Sequence, residues 1–230
     1  VIFWPDILAP QSVTIQAQGA SRSAGRSIGG VERVTLVDAG WWTARIAFPR
    51  LKTPIHVAEY RGLLARLRGR SGTVLAPFFD CRHTPGGLQA FADPDGYANA
   101  YGAGGVPFDD DATFDDGALW GAQVVAAKLD LAVAAQATEA YINVISAHSI
   151  RPGHYFSIGY RAYVVCEVLA VAGTQHRVTF WPPAREAAAA LAEVQFDRPS
   201  CVMRLAADDG AWPDLQLLRF ASPVLDLVEA

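Results

Sequence analysis

Between Ser12 and Ala17 the apolar residues Val13, Ile15 and Ala17 alternate with Thr14 and Gln16, the period of a strand with one face buried. The Gly/Ser/Arg stretch from Gly19 to Gly30 interrupts that alternation, and its Gly25–Gly29 string reads as a flexible hairpin-like loop whose glycines permit positive φ. A second strand follows, with Val31, Arg33, Thr35 and Val37 set against Glu32, Val34 and Leu36. Asp38-Ala39-Gly40 is a turn signal, and beyond it Trp42, Ala44, Ile46 and Phe48 share one face of a run that ends at Pro49. The pattern therefore predicts a hairpin with its turn at Asp38–Gly40.

From Thr53 to Arg68 the period changes from two to nearly four. Tyr60, Leu63, Leu64 and Leu67 fall at helical spacing, Thr53 is an N-cap residue and Pro54 suits the first helical position. Gly69 is placed to end this helix, and Gly72 to Phe79 returns to strand character. Residues 84–121 carry no sustained period and are rich in Gly, Pro and Asp, which makes them a long loop of the kind that usually has a task.

After Gln123, two alternating runs read as strands: Val125 to Val133, ambiguous with helix because of its alanines, and Ala140 to Val144. Pro152-Gly153 is a turn, followed by strand-like runs at Tyr155–Gly159, Ala162–Val171 and Arg177–Trp181. The Ala-rich segment after Pro182-Pro183 predicts one or two helical turns, and strand character resumes at Ala192–Phe196, Cys201–Leu205 and Asp214–Phe220. The fold class is thus mainly β.

Composition narrows the functional classes. A 230-residue chain with 51% hydrophobic and 18% charged residues can bury a sizeable core and is neither disordered nor collagen-like. No stretch of about 18 apolar residues free of charge exists, so no membrane partner is expected. Val1 to Pro10 is short and lacks a basic segment, so it is not expected to be a secretory signal. A net charge of −4 opposes phosphate binding, and no specific nucleic acid is expected. The arginines 61, 66, 68 and 70 suit the solvated face and last turn of the helix, where they complement its dipole. Cys81, Cys166 and Cys201 are too far apart for a Cys-x-x-Cys metal site, and three buried thiols are expected.

Candidate chemistry fails on context. Gly25-Arg26-Ser27-Ile28-Gly29 matches the G-x-S-x-G nucleophile pattern, yet it lies outside the strand-to-helix turn that such a serine needs. Asp109, Asp110, Asp111, Asp115 and Asp116 offer oxygens to a cation, without the alternate-position spacing or distal glutamate of an EF-hand. His56, His83, His148, His154 and His176 include no pair at zinc-ligand spacing. No acid/base carboxylate pair can be picked out of the 23 acidic residues. No catalytic, cofactor-binding or metal residues are therefore assigned, no cofactor is expected, and the chain is not expected to be an enzyme. Trp41, Trp120, Tyr97 and Tyr101 could stack on sugars, while one member of the Trp41-Trp42 pair must be core at strand period.

Two blocks of sequence carry a resemblance. The first is Arg26-Ser27-Ile28-Gly29-Gly30-Val31-Glu32, then Gly40-Trp41-Trp42-Thr43-Ala44, then Tyr60-Arg61-Gly62-Leu63-Leu64-Ala65-Arg66-Leu67-Arg68-Gly69-Arg70. The second runs from Ile150-Arg151-Pro152-Gly153-His154-Tyr155-Phe156-Ser157-Ile158-Gly159 through Ala162-Tyr163-Val164-Val165 to Phe180-Trp181-Pro182-Pro183-Ala184-Arg185. Spanning most of residues 12–205, they resemble the distal tail proteins of long-tailed (siphovirus-type) bacteriophages and related prophage elements. That resemblance implies a tail-tube-like β-sandwich with one flanking helix plus a second small β-barrel or sandwich domain. The expected boundaries are residues 1–83 with the helix at 53–68, the loop 84–121 and a second β domain at 122–213, with a strand within 214–228 returning to the first domain. It also implies a structural virion protein of the tail tip, made in the bacterial host cytoplasm. Such a protein forms a homo-oligomeric ring, expected to be a hexamer, that joins the tail tube protein to the hub or baseplate and fibres. A carbohydrate- or receptor-binding module of the tail tip is the alternative.

Overall fold

A computed structural model describes residues 1–5, 7–48, 51, 53–78, 126–145, 149–196, 198–208 and 222–230. The chain divides into two compact units, Val1–Ala76 with Val202–Ala230, and Pro77–Cys201. It is mainly β, with one α-helix and a closed barrel among the described residues.

The first unit holds β1 (Ile2–Phe3), β2 (Ser12–Arg26), β3 (Glu32–Ala47), α1 (Pro54–Leu67), β4 (Val74–Pro77), β11 (Ser200–Leu205) and β12 (Val224–Glu229). Its strands form one six-stranded sheet in the order β1-β4-β11-β12-β3-β2. The apolar row read from the sequence is the buried row: Trp42, Ala44, Ile46 and Phe48 are all at or below 5% exposure. Opposite them on β2 stand Ala17, Ile15 and Val13, half-buried because β2 is the outer strand.

Helix α1 follows its sequence signals closely. Thr53 caps the start, its side chain accepting from the His56 backbone N–H, Pro54 occupies the first turn, and Tyr60, Leu63, Leu64 and Leu67 are buried. Tyr60 meets Phe48 edge-on at 5.3 Å between ring centroids, which ties the helix to the end of β3. Burial of each such side chain contributes about 1.5–3 kcal/mol. The helix ends on Arg68 in the left-handed conformation (φ 48°), one residue before the expected Gly69. Gly72 has its own reason: a Cβ there would lie 2.4 Å from the Leu67 carbonyl oxygen.

Three expectations for this region need correction. Asp38–Gly40 is not a hairpin turn, for β3 runs through it, and the extra residues are taken up as a register shift between the Gln18↔Trp41 and Ala20↔Val37 pairs. The hairpin-like loop expected around Gly25–Gly29 is there, with Gly25 and Gly30 at positive φ, but it is shorter than the Gly19–Gly30 stretch. Strand β2 continues to Arg26, and the true turn is Ser27–Gly30, closed by Gly30 N–H to Ser27 O (2.9 Å) with Gly30 at φ 79°. Finally, β11 lies in the first sheet between β4 and β12, so the second domain stops short of 213. The returning C-terminal strand is Val224–Glu229, paired with both β3 and β11; the run Asp214–Phe220 lies outside the described residues.

The second unit contains β5 (Ala126–Leu129), β6 (Glu139–Val144), β7 (Tyr155–Ile158), β8 (Arg161–Ala172), β9 (Gln175–Trp181) and β10 (Glu193–Gln195), closed into a barrel in the order β10-β5-β6-β9-β8-β7. Period-two alternation fills its interior: Ala140, Ile142 and Val144 of β6 are buried, as are Val178 and Phe180 of β9. Phe156 sits among Tyr163, Phe180 and Phe196 at centroid distances of 5.5–5.7 Å. The alanines before β6 and after Pro183 form no helix. Val133 and Ala188 make an isolated bridge, Gln136 N–H donates to Ala184 O and Ala184 N–H to Ala137 O, so these backbones satisfy one another.

Candidate interaction surface

The hairpin β2–β3 has two parts. At its base β3 is flanked by β12 from Ala47 to Thr43 and by β2 on the other side. Beyond Thr43, among the described residues, the pairing continues with β2 alone, so Gln18–Arg26 and Glu32–Trp41 form a two-stranded ribbon. Nine residues of β2 at strand rise extend it by about 30 Å. Every described side chain from Ser21 to Thr35 is exposed. Ile28 at the tip, Val31 and Val34 are 110%, 69% and 59% exposed. An isolated two-stranded ribbon is marginal in water, and no described residue covers these apolar groups.

Polar side chains hold the tip in shape. Ser27 Oγ accepts from Val31 N–H at 3.2 Å, Ser23 Oγ accepts from Gly25 N–H at 3.1 Å, and the Ser23 hydroxyl donates to Glu32. The serine of the G-x-S-x-G string is therefore a turn-forming residue between two strands. Around it stand Arg22, Arg26 and Arg33, all exposed and without an ion pair among the described residues.

Among the described residues, no strand pairs with the outer side of β1 or of β2. On one side β2 presents 15 residues of outer strand; on the other, β1 is two residues long and carries Phe3 at 66% exposure beside Val1 and Ile7. Open edges with apolar neighbours are sites where another chain can pair or pack.

The remaining candidates are not brought together. His56 Nδ1 lies 2.7 Å from Thr53 Oγ1 at the helix start, His154 accepts from Arg151 N–H, and His176 is buried beside the Thr174 carbonyl. Trp41 is half-buried on β3 opposite Gln18. Trp120, Tyr97, Tyr101, His83, His148, Cys81 and the Asp109–Asp116 run lie outside the described residues, as does the whole of the expected loop 84–121. Among the described residues no group of three or more His, Cys, Asp or Glu could hold a metal, and no helix is long and apolar enough to cross a membrane. Arginine 66 is exposed in the last helical turn, and Arg70 N–H donates to Asp208 Oδ1 at 2.8 Å, anchoring the loop after the helix.

Three environments perturb titrating groups without making a site: those of Tyr60, of the Glu139–Arg177 pair and of Cys166, whose thiol partial burial pushes up. Burial pushes the Tyr60 phenol well above its ordinary range. On the barrel surface the Arg177 hydrogen bond and charge hold the Glu139 carboxyl below its usual range, and the same guanidinium lies over the Tyr141 ring. Cys201 is buried as expected. Cys166 is exposed instead, because it alternates with the inward-facing Tyr163 and Val165; the register shift that follows leaves Glu167 exposed beside it.

Compared with protein-family models and with curated protein sequences, the chain matches none. Among the described residues, the surface singled out by geometry is the sheet with its exposed ribbon. Sequence reasoning read the Val31–Val37 half of the ribbon as a strand and missed its β2 half, because Gly19–Arg26 is wet on both faces and has no apolar alternation; the signal present was the serine- and arginine-rich polarity flanking Gly29-Gly30.

Proposed function

We propose that the protein is a non-enzymatic structural component of a phage tail tip, a distal tail protein that assembles into a ring between the tail tube and the hub, baseplate and fibres. The observation that carries this reading is the first unit's sheet, which among the described residues ends in two dissimilar edges, one long and ribboned and the other short and apolar. Contact between unlike edges is heterologous, and repeated heterologous contacts close into a ring when the rotation permits. The inserted closed barrel and the C-terminal strand returning to the sheet agree with the two-domain plan that the sequence resemblance implies. Six copies are the expected number. The test is to add the purified chain to polymerising tail-tube protein. Rings capping one end of each tube are expected; tubes left bare at both ends, with the chain in the unbound fraction, would overturn the reading.

A further inference from the structure

We infer that the ribbon is a hinged strap: it turns about a joint at Gly19 and Asp38–Gly40, and the Glu229 carboxylate latches the sheet side of that joint. The joint lies within one chain, so the inference goes beyond the ring reading and does not depend on it. Three features meet there within a few residues, and the first is the loss of a neighbouring strand. β12 pairs with β3 from Ala47 to Thr43, and on that register the next rung would join Trp42 to Glu229. Glu229 is the last residue of β12, and its side chain takes that rung over: Trp42 N–H donates to Glu229 Oε2 at 3.0 Å. The bond is charge-assisted, and beyond it β2 is the one described strand that pairs with β3.

The second feature is a break in the ladder. Between the pairs Gln18↔Trp41 and Ala20↔Val37, Asp38, Ala39 and Gly40 of β3 stand against Gly19 alone. Two extra residues keep the alternation of faces intact, because the side-chain period is two, yet they leave part of β3 without a partner on β2. The third is composition: each strand has a glycine at this point, Gly19 and Gly40, where no Cβ stiffens the backbone. On the body side of the joint the Trp42 side chain is buried and fixes β3 in the core. On the far side the ladder resumes from Ala20↔Val37 to Ser23↔Val34, and Ser23, Ser27 and Glu32 hold the tip in shape. The ribbon is thus stiff within itself and anchored at its root, with the weak point between the two. A swing of about 20° at the joint moves a tip about 30 Å away by about 10 Å.

The experiment puts spin labels, carried by an unnatural amino acid, at the exposed positions 28 on the ribbon tip and 58 on the outer side of α1 in the full chain. Labelled chain is diluted into unlabelled chain, so that only distances within one copy are read. The wild type is expected to give distances spread over about 10 Å. Deletion of Asp38 and Ala39, which restores one-to-one pairing opposite Gly19, is expected to narrow them to one value. Amide hydrogen exchange on the unlabelled chain tests the latch. Glu229→Ala is expected to speed exchange at Trp42 about tenfold or more and to leave Ile46, deeper in the sheet, unchanged; Glu229→Gln, which keeps an acceptor, should stay close to wild type. A single narrow distance in the wild type would overturn the hinge whatever the variants do. A deletion variant with unchanged melting temperature and a spread as wide as the wild type would overturn the joint's position. Exchange at Trp42 that ignores Glu229→Ala, or that rises equally at Ile46, would overturn the latch.

Discussion

The two units solve the same problem of sheet edges in opposite ways. In the barrel, β10 pairs with both β5 and β7, so the last strand meets the first and no long edge is left between them. In the first unit the sheet stops at β1 on one side and β2 on the other, and β2 extends with β3 into a ribbon that no other described strand supports. Closure removes the hydrogen-bonding groups that invite other chains, whereas an open sheet keeps them. On the proposed ring reading, the difference would put copy-to-copy contact in the first unit and make the barrel a self-contained insertion between β4 and β11.

This contrast can be broken by substitutions that separate folding from assembly. The largest effect is expected for Leu64→Asp: Leu64 is 4% exposed on the inner face of α1, and burying an unpaired carboxylate there costs several kcal/mol, about enough to prevent soluble expression. Phe156→Ala should remove about 3–5 kcal/mol from the barrel through the cavity left among Tyr163, Phe180 and Phe196, seen as an earlier unfolding transition, while the folded fraction still assembles at low temperature. Gly72→Ala sets a methyl against the Leu67 carbonyl and is expected to cost about 1–3 kcal/mol in denaturant titration. Phe3→Asp, at an exposed edge, should leave the melting temperature nearly unchanged and weaken assembly; normal assembly would show that the β1 edge is not an interface.

The smallest effect belongs to the barrel surface. Because Arg177 holds the Glu139 carboxyl below its ordinary pKa, the pair's contribution is present above the ordinary carboxylate range and is lost as pH falls through the lowered value. Glu139→Gln should therefore flatten a slight acid-side decline in the barrel's melting temperature and leave assembly at neutral pH unaffected. This pair is solvent-exposed, so the change should lie close to the limit of detection.

Much of the fold was legible where one face is dry and the other wet. The Trp42-Ala44-Ile46-Phe48 row, the Tyr60-Leu63-Leu64-Leu67 helix face and the β6 alternation all have this asymmetry, and each is buried as its period indicates. Legibility failed where that asymmetry is missing. The ribbon is wet on both faces, so Gly19–Gly30 carried no strand signal and Asp38-Ala39-Gly40 looked like the turn; the Ala-rich segments lack side chains large enough to record which way they face. The assignment of β11 to the first sheet was also hidden, because an alternating strand does not state which sheet it joins. The candidate site lay in the same blind spot as the ribbon, since association surfaces carry no catalytic spacing to read.

The central claim is that the open sheet closes copies of this chain into a ring. Negative-stain imaging of the purified full chain across a concentration series, with native mass on the same samples, tests it most directly. Closed rings with a central hole and a single repeating mass are predicted. Particles that remain monomeric at every concentration, or that pair as two-fold dimers with no hole, would contradict it.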